Sequence, residues 1–255
     1  MGTDRKNGSL YTKIDGNVAV LEFGHPASNS FTSELLKRLT EALDKLSQNS
    51  EVSVIVLKSE GDRAFCAGAS FDELVAVSNV EESKIFFSGF AHVINAMRRC
   101  SKVIIGRVQG KTVGGGVGLA AACDYVFATE AAAIRLSELA IGIAPLVIAP
   151  AVERKIGTAA IAELSLAPTE WKNAYWAKEK GLFAKVFDDI SELDKTLDFF
   201  SQKLAAYNPD ALRELKKVLW KDTSHWDALL LERAALTGKL ALSDFTKNAI
   251  SKFKK

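Results

Sequence analysis

Three adjacent glycines, Gly114, Gly115 and Gly116, stand between an apolar run and a run of small residues near the middle of the chain. Residues 103–108 have the composition of a buried parallel strand, and residues 119–123 have good helix propensity. Adjacent glycines cost conformational entropy, but they let backbone N–H groups face outward at a helix N-terminus, where the dipole favours negative charge. The pattern predicts an anion or oxyanion site, with a simple tight turn into a buried helix as the alternative.

A phosphate-binding P-loop is almost matched by residues 106–112. Its fingerprint requires four residues between two glycines, whereas Gly106 and Gly110 are separated by three, which shortens the loop that must wrap the phosphates. The expected helix begins only after the later glycines, and no apolar strand nearby ends in a metal-binding Asp. The sequence therefore disfavours a nucleoside triphosphatase.

Strand and helix patterns alternate along the chain and must position these glycines. Apolar runs predict strands at residues 18–23, 52–57, 103–108, 125–128 and 134–136. Helical spacing of apolar residues predicts helices at residues 31–46 and 81–99 and, beyond Pro150, at residues 158–165, 169–180, 190–206, 210–221 and 225–251. The predicted fold class is α/β, with an α/β body over residues 1–185 and a helical section over residues 186–255.

Composition narrows the possible partners. The chain has 255 residues, of which 48% are hydrophobic and 25% charged, and this suits one globular α/β domain with or without an appendage. The net charge is +2, and the one basic cluster is Lys252, Lys254 and Lys255 at the end, so no nucleic-acid partner is expected. These lysines could meet the phosphates of a ligand or form a solvated tail.

Cysteines and terminal segments bear on the compartment. The three cysteines are odd in number and lack CxxC spacing, so neither a disulfide framework nor a zinc site is expected. Residues 1–9 are polar and expected to fray, and no N-terminal signal sequence is visible. No run of 18 apolar residues occurs, so we expect no membrane span and a cytoplasmic, reducing location.

Five motifs, taken in order along nearly the whole chain, resemble those of the crotonase, or enoyl-CoA hydratase/isomerase, family. They are HPASNSF at residues 25–31, FCAGASFDEL at 65–74, VQGKTVGGGVGLAAACD at 108–124, RLSELAIGIAP at 135–145 and AKEKGLFAKVF at 177–187. The resemblance implies a spiral core of ββα units and a helical C-terminal section that builds a homotrimer or a dimer of trimers. It also implies an acyl-CoA thioester as substrate, with no cofactor beyond that CoA and no metal.

The resemblance also assigns roles to individual positions. Two backbone N–H groups, here those of Ala69 and Gly115, are expected to polarise the thioester carbonyl. Because charge develops on that oxygen in an enolate, each preorganised donor is worth roughly 2.7–4 kcal/mol in the transition state. The first loop of the family cups the CoA adenine. The substrate-binding residues expected on these segments are Phe65, Ala67, Gly68, Asp72, Gly114, Gly118 and Pro145.

The proton-transfer groups depart from the family pattern. Typical hydratases have one Glu two residues after the glycine triplet and a second about twenty residues further on; here these positions are Gly118 and Glu138. Glu138 is the expected acid/base, a role worth roughly 10²–10⁴-fold in rate, and its alternative is a surface carboxylate. Replacing Gly118 with Glu is expected to favour the helix by several tenths of a kcal/mol and to raise hydration. His25, Cys66 and Asp72 are weaker candidates, and Asp124 is expected to be structural.

The predicted reaction is hydration of a 2-enoyl-CoA or its reverse. The pairing of GGGVGLAAACD with LSEL and IGIAP is similar to the hydratases of leucine and isoprenoid catabolism, of the methylglutaconyl-CoA type. Double-bond isomerisation is the enzymatic alternative, because one carboxylate can shuttle a single proton. A non-catalytic acyl-CoA-binding protein is the alternative outside enzymes. Turnover of crotonyl-CoA and of a 3-enoyl-CoA separates the three.

Overall fold

Ten strands and ten α-helices occur in residues 5–253, the part of the chain that the computed structural model describes. The strands are β1 (Ser9–Asp15), β2 (Val18–Gly24), β3 (Val54–Ser59), β4 (Ala64–Cys66), β5 (Val103–Val108), β6 (Lys111–Val113), β7 (Tyr125–Thr129), β8 (Ala133–Arg135), β9 (Lys172–Asn173) and β10 (Lys185–Phe187). The helices are α1 (Ser33–Gln48), α2 (Phe71–Ala76), α3 (Val80–Arg99), α4 (Gly115–Ala122), α5 (Ala149–Leu166), α6 (Ala174–Glu179), α7 (Ile190–Ala205), α8 (Pro209–Leu219), α9 (Trp226–Ala241) and α10 (Asp244–Phe253).

The strands form two sheets that the chain visits in turn. One sheet has the order β1-β2-β3-β5-β7-β10 and is parallel except for the β1–β2 pair, and the other has the order β4-β6-β8-β9. Each of β3, β5 and β7 is followed by a strand of the second sheet and then by a helix. Three successive ββα turns therefore build a spiral, which confirms the predicted α/β fold class of the crotonase type.

The centre of the spiral is largely apolar because its elements carry mostly small or branched residues. Every residue of β5 is buried, as expected for a strand covered on both faces. In α4, seven residues from Gly116 to Ala122 are buried, and the small side chains let this helix lie close to its neighbours. The second turn of the spiral is thus the core that supports the glycine triplet.

Short strands and helix breaks are where the structure differs from the sequence prediction. Strands β4, β6, β9 and β10 were not predicted because two or three residues carry too little periodicity. Strand β1, which begins at Ser9 within the segment expected to fray, is a largely exposed edge strand. Residues 169–180 hold β9 before α6, and residues 225–251 are split into α9 and α10. Helix α5 begins well before residue 158 and is interrupted at Gly157, whose φ is 78°.

A buried charge at the end of α4 ties the later helices to the core. The Asp124 carboxylate accepts hydrogen bonds from Ile104 N at 2.7 Å and Trp220 Nε1 at 2.6 Å, and it pairs with Lys216 Nζ at 3.0 Å. Both charged side chains are 3% exposed. The Lys155 ammonium donates to Asp124 O at 3.0 Å. Asp124 is therefore engaged in structural contacts, as expected.

The helical section contacts the rest of the protein through several helices. Helix α7 packs on β7 and β10, α8 on β5, and α9 on α3. The division at residue 185 stays a prediction. Within residues 5–253, no helix combines the length and the hydropathy needed to cross a bilayer. Lys252 lies in α10, whereas Lys254 and Lys255 fall outside the described residues.

Candidate active site

A cavity of about 180 Å³ opens between the loops that follow the strands of the second sheet. Its lining comes from the β4–α2 loop, the β6–α4 turn, the segment between β8 and α5, and one face of α3. Seven of the residues predicted from the sequence meet there: Ala67, Gly68, Ala69, Gly114, Gly115, Glu138 and Pro145. Three of the motifs, at residues 65–74, 108–124 and 135–145, thus contribute to one cavity.

Two unpaired backbone N–H groups lie on this cavity. Phe31 pairs with the β4–α2 loop, donating to Gly68 O at 2.8 Å and accepting from Ser70 N at 2.7 Å. Because successive groups of an extended chain point to opposite sides, the N–H of Ala69 faces away from Phe31. Gly115 begins α4, so its N–H has no intrahelical acceptor. Neither group donates a hydrogen bond to another residue in the described part of the chain.

The two donor loops approach each other closely. A Cβ added to Gly68, whose φ is +91°, would lie 3.7 Å from the backbone nitrogen of Gly115 and 3.2 Å from Val113 O. Any larger residue at Gly68 would therefore be strained and would crowd the second loop. The arrangement places two N–H donors at the rim of one cavity, which is the requirement for binding a single oxyanion.

Glu138 lies directly above the glycine turn. Gly114 has φ +52° and its N–H donates to Arg135 O at 2.9 Å, which fixes the turn to the strand preceding Glu138. A Cβ on Gly114 would come within 2.9 Å of Glu138 Oε1. The carboxylate is therefore held against the turn that presents the Gly115 N–H, and glycine is required for both its backbone angle and this contact.

Burial perturbs the ionisation of Glu138. Its Oε2 atom is buried and has no hydrogen-bond partner among the described residues. Burial raises the pKa of the carboxyl from 4.5 to about 7, because removal from water disfavours the charged form; a hydrogen bond from its own backbone opposes the shift. A carboxyl with this pKa exchanges a proton readily near neutral pH, as a general acid or base requires.

The position of the missing second carboxylate is filled by Ile148. A Cβ on Gly118 would lie 2.5 Å from Ile148 Cγ2 and 2.7 Å from Ile148 Cβ. Ile148 is 4% exposed and lines the cavity, whereas Gly118 does not reach it. The contact between these two residues therefore gives the site an apolar wall where the sequence analysis expected a substrate-binding glycine.

Two other predicted substrate-binding residues do not line the cavity. Phe65 is fully buried, and its ring packs edge-on against Phe23 with centroids 5.5 Å apart. Asp72 is exposed in the first turn of α2. The structure thus assigns Phe65 to the core beneath the loop and Asp72 to the surface.

The alternative catalytic side chains are also engaged elsewhere. His25 Nδ1 accepts a hydrogen bond from Ala27 N at 3.1 Å, and its Nε2 lies 3.1 Å from Lys6 O, so the ring supports its own loop. The Cys66 thiol is fully buried, and burial raises its pKa to about 12. Such a thiol stays protonated at neutral pH and is a poor nucleophile.

Sequence reasoning missed the aromatic wall and the residues contributed by distant helices. Phe86, Phe87 and Phe90 of α3 line the cavity, as does Thr237 of α9. The spacing of the phenylalanines, which places them on one face of α3, was the available signal. Glu138 is the one ionisable side chain among the described residues lining the cavity. Residues 5–253 contain no cluster of three His, Cys, Asp or Glu side chains that could hold a metal ion.

The fold is shared with solved enoyl-CoA hydratases. The enoyl-CoA hydratase of Bacillus halodurans superimposes with a TM-score of 0.88 over 95% of this chain and 99% of that chain, at 20% identity. The enoyl-CoA hydratase of Bacillus anthracis superimposes with a TM-score of 0.78 over 91% of this chain and 90% of that chain, at 26% identity. The spiral and its cavity thus define a protein of the crotonase fold.

Sequence comparison places the chain in a family in addition to a fold. The family profile described as enoyl-CoA hydratase/isomerase matches residues 13–251. A probable enoyl-CoA hydratase of Bacillus subtilis is 30% identical over 245 residues, 94% of this chain and 93% of that protein. The peroxisomal Delta(3,5)-Delta(2,4)-dienoyl-CoA isomerase of Arabidopsis thaliana is 29% identical over 218 residues, 80% of this chain and 78% of that protein. The chain belongs to the enoyl-CoA hydratase/isomerase family of acyl-CoA enzymes.

The narrower resemblance to methylglutaconyl-CoA hydratases receives less support. The human mitochondrial enzyme of that name is 35% identical over 117 residues, which is 46% of this chain and 34% of that protein. It is thus a distant homologue that matches part of the chain. Family membership is confirmed, whereas this subfamily is not.

Proposed function

We propose that the protein is an enoyl-CoA double-bond isomerase that uses Glu138 as its single proton carrier. The observation that supports this most directly is the contact between Gly118 and Ile148, which leaves one carboxylate in the cavity. Hydration was the first prediction from the sequence, and the apolar wall at Ile148 moves isomerisation ahead of it. Both reactions pass through a thioester enolate or an enolate-like transition state, which the two free N–H groups would stabilise.

The proposed reaction needs one base and one oxyanion site. The Glu138 carboxylate removes a proton from C2 of a 3-enoyl thioester, and the electron pair moves onto the thioester oxygen. The N–H groups of Ala69 and Gly115 donate to that oxygen, and the protonated Glu138 then delivers the proton to C4. The double bond moves from C3–C4 to C2–C3, with no net gain or loss of atoms. A carboxyl with pKa about 7 can both take and return the proton near neutral pH.

Hydration is the second candidate, favoured by the relative from Bacillus subtilis named a probable enoyl-CoA hydratase. A water in the cavity would need two to four polar partners. Besides Glu138, the described lining offers the hydroxyls of Ser137 and Thr237, and the latter already donates to Arg233 O at 2.9 Å. Few groups thus remain to orient an attacking water, so we rank hydration below isomerisation.

The cavity also favours an uncharged acyl chain. Its walls include Phe86, Phe90, Leu74 and Ile143, and no cationic side chain of the described residues lines it. A second carboxylate on the acyl group would lose its hydration without gaining a partner, at a cost of several kcal/mol. We therefore propose apolar acyl groups as substrates, with CoA entering as part of the thioester.

An exposed apolar face on α8 bears on how the protein assembles. Leu215, Val218 and Leu219 form an exposed apolar face on α8, being 52%, 63% and 45% exposed. An apolar face of this kind supports association of the helical section with other copies. We propose the homotrimer or dimer of trimers that the family resemblance implied, in the cytoplasm.

Turnover of three substrates, measured side by side, tests the proposal. We expect 3-hexenoyl-CoA to be converted to 2-hexenoyl-CoA at least tenfold faster than crotonyl-CoA is hydrated. Glutaconyl-CoA, which carries a second carboxylate, should be the poorest ligand. Faster hydration of crotonyl-CoA would establish the hydratase instead. Tight acyl-CoA binding with neither reaction, across a panel of chain lengths, would favour the non-catalytic alternative.

The pH dependence of isomerisation should report Glu138. Only the ionised carboxyl can accept the first proton, so kcat/KM should rise about tenfold per pH unit up to about pH 7 and level off above it. Initial rates with 3-hexenoyl-CoA between pH 5 and 9 measure this. Circular dichroism over the same range controls for unfolding. A folded enzyme whose acid limb lies near pH 4.5 would contradict the buried environment of the base.

A further inference from the structure

The turn that carries Glu138 is tied to the last helix of the described chain. Residues Glu138–Ile141 form a 3₁₀ turn that ends at Gly142, whose φ is 84° and whose N–H bonds back to Leu139 O at 3.1 Å. The Thr246 hydroxyl of α10 donates to Gly142 O at 2.9 Å. Thr246 is 0% exposed, so water does not compete for this bond.

The approach of α10 to this turn is close. A Cβ on Gly142 would lie 2.6 Å from Thr246 Oγ1 and 2.6 Å from Phe245 Cδ1. The hydrogen bond therefore joins the Gly142 turn to a helix whose side chains lie directly against it, and it spans 104 residues of sequence. Any shift of α10 at Thr246 would be transmitted to the carbonyl that ends the catalytic turn.

Glu138 depends on its backbone for orientation. Its Oε2 has no hydrogen-bond partner among the described residues, so no neighbouring side chain holds the carboxylate in place there. The segment around it is fixed on one side by the bond from Gly114 N to Arg135 O, and on the other by the bond from Thr246 to Gly142 O. Losing the second anchor would free the turn on the side that faces α10.

We infer that Thr246 is a positioning residue for Glu138: its hydroxyl fixes the turn so that the carboxylate stays over the oxyanion donors. The inference rests on the proposed role of Glu138. Because a misplacement of about 1 Å can cost on the order of 10²-fold in rate, one hydrogen bond at this turn can control turnover. Thr246 does not line the cavity, and it acts through the backbone of the turn.

Helix α10 has other contacts that keep it seated when this hydroxyl is removed. Ile250 packs with Leu74, Phe86, Ile143 and Ala241 in a separate apolar cluster. Thr246→Val, which replaces a hydroxyl by a methyl of similar size, removes the bond to Gly142 O, together with the bond from Ser243 Oγ at 3.1 Å, while these apolar contacts remain. Thr246→Ser keeps the hydroxyl and should rescue the function.

Thr223→Val provides a matched control elsewhere in the helical section. Thr223 is 5% exposed, and its hydroxyl donates to Trp220 O at 2.6 Å. This is also a buried bond from a hydroxyl to a backbone carbonyl, but Thr223 does not line the cavity. Its loss should lower the melting temperature without changing kcat. We expect Thr246→Val to lower kcat for 3-hexenoyl-CoA by roughly 10- to 100-fold. The Kd for butyryl-CoA should stay within twofold, and Thr246→Ser should recover most of kcat.

A second readout does not depend on the reaction. The ionisation of Glu138 can be followed by ¹³C NMR of the full-length protein labelled at Glu side chains, with the signal assigned by Glu138→Gln. In Thr246→Val the loosened turn should admit water and lower the pKa of Glu138 from about 7 toward 4.5, whereas Thr223→Val should leave it unchanged.

An unchanged titration of Glu138 in Thr246→Val would overturn the inference. Equal loss of kcat in both Val variants, or a failed rescue by Ser, would also overturn it. If the unmodified enzyme converts neither 3-hexenoyl-CoA nor crotonyl-CoA, the proposed function fails. The titration of Glu138 alone then decides whether Thr246 holds the turn.

Discussion

Replacing Glu138 with glutamine should lower turnover of 3-hexenoyl-CoA by roughly 10²–10⁴-fold while acyl-CoA affinity stays nearly unchanged. Glutamine preserves the size of the side chain but cannot accept the C2 proton. The proposed thioester contacts come from the backbone of Ala69 and Gly115, and the substitution leaves them in place. Single-turnover rates and the Kd for butyryl-CoA separate the two effects. Full activity in a folded Glu138→Gln protein would remove Glu138 from the mechanism.

The same substitution should make the protein more stable at alkaline pH. The pKa of Glu138 is raised from 4.5 to about 7, so the folded state binds this proton more tightly than the unfolded chain. Its stabilisation is complete below about pH 4.5 and is lost as the pH rises through about 7, which costs roughly 3 kcal/mol at pH 8.

Glu138→Gln has no such ionisation. Urea unfolding should therefore show a gain of up to about 3 kcal/mol over the unmodified protein at pH 8, and a much smaller difference at pH 4.5. Opposite changes in activity and stability from one substitution would identify Glu138 as a residue kept for function. Equal stability of the two proteins at both pH values would mean that the carboxylate is solvated.

Gly118→Glu should destabilise the protein by about 3 kcal/mol or more. From the sequence, this change gains helix propensity, but the structure places Ile148 Cβ only 2.7 Å from the new Cβ, and a carboxylate would be buried beside it. Overpacking and desolvation both exceed the tenths of a kcal/mol gained from propensity. Thermal and urea unfolding measure the loss. A Gly118→Glu protein as stable as the parent would show that α5 can retreat without cost.

The double variant Gly118→Glu with Ile148→Gly should show whether the apolar wall formed by Ile148 selects isomerisation over hydration. Removing the Ile148 side chain clears both atoms that the new Cβ would meet, so the second carboxylate can enter the cavity and hold a water. We expect hydration of crotonyl-CoA to rise at least tenfold over the parent. Ile148→Gly alone, which opens the same space without a carboxylate, is the matched control. A folded, ligand-binding double variant with no gain would show that other residues select the reaction.

The parts of the site that lie within single motifs could be predicted from the sequence. The glycine triplet was visible in the local pattern, and the family resemblance assigned Ala69 and Glu138 within two further contiguous motifs. The oxyanion geometry was less visible, because the strands β4 and β6 that bring the loops together have three residues each.

Contacts between distant segments could not be predicted in this way. Ile148 covers Gly118 only because α5 packs on α4, and no local pattern encodes that approach. Thr246 likewise carries no signal in its own helix, since its role depends on Gly142 far earlier in the chain. Burial of Glu138, which sets its pKa, is also a property of the assembled cavity and not of the LSEL segment.

The buried contacts of Asp124 influence when α4 and the glycine turn before it can become stable during synthesis. The carboxylate that follows α4 finds its indole partner, Trp220, 96 residues later, and its ammonium partner, Lys216, only when α8 has been made. Before then Asp124 would lack both of these partners and keep only the Ile104 N–H and the nearby Lys155 ammonium, so its burial would be less favourable. We therefore expect α4 and its glycine turn to gain their full stability only after α8 has been made. A nascent chain that stops before α8 is expected to remain a partly open intermediate and a natural client of chaperones.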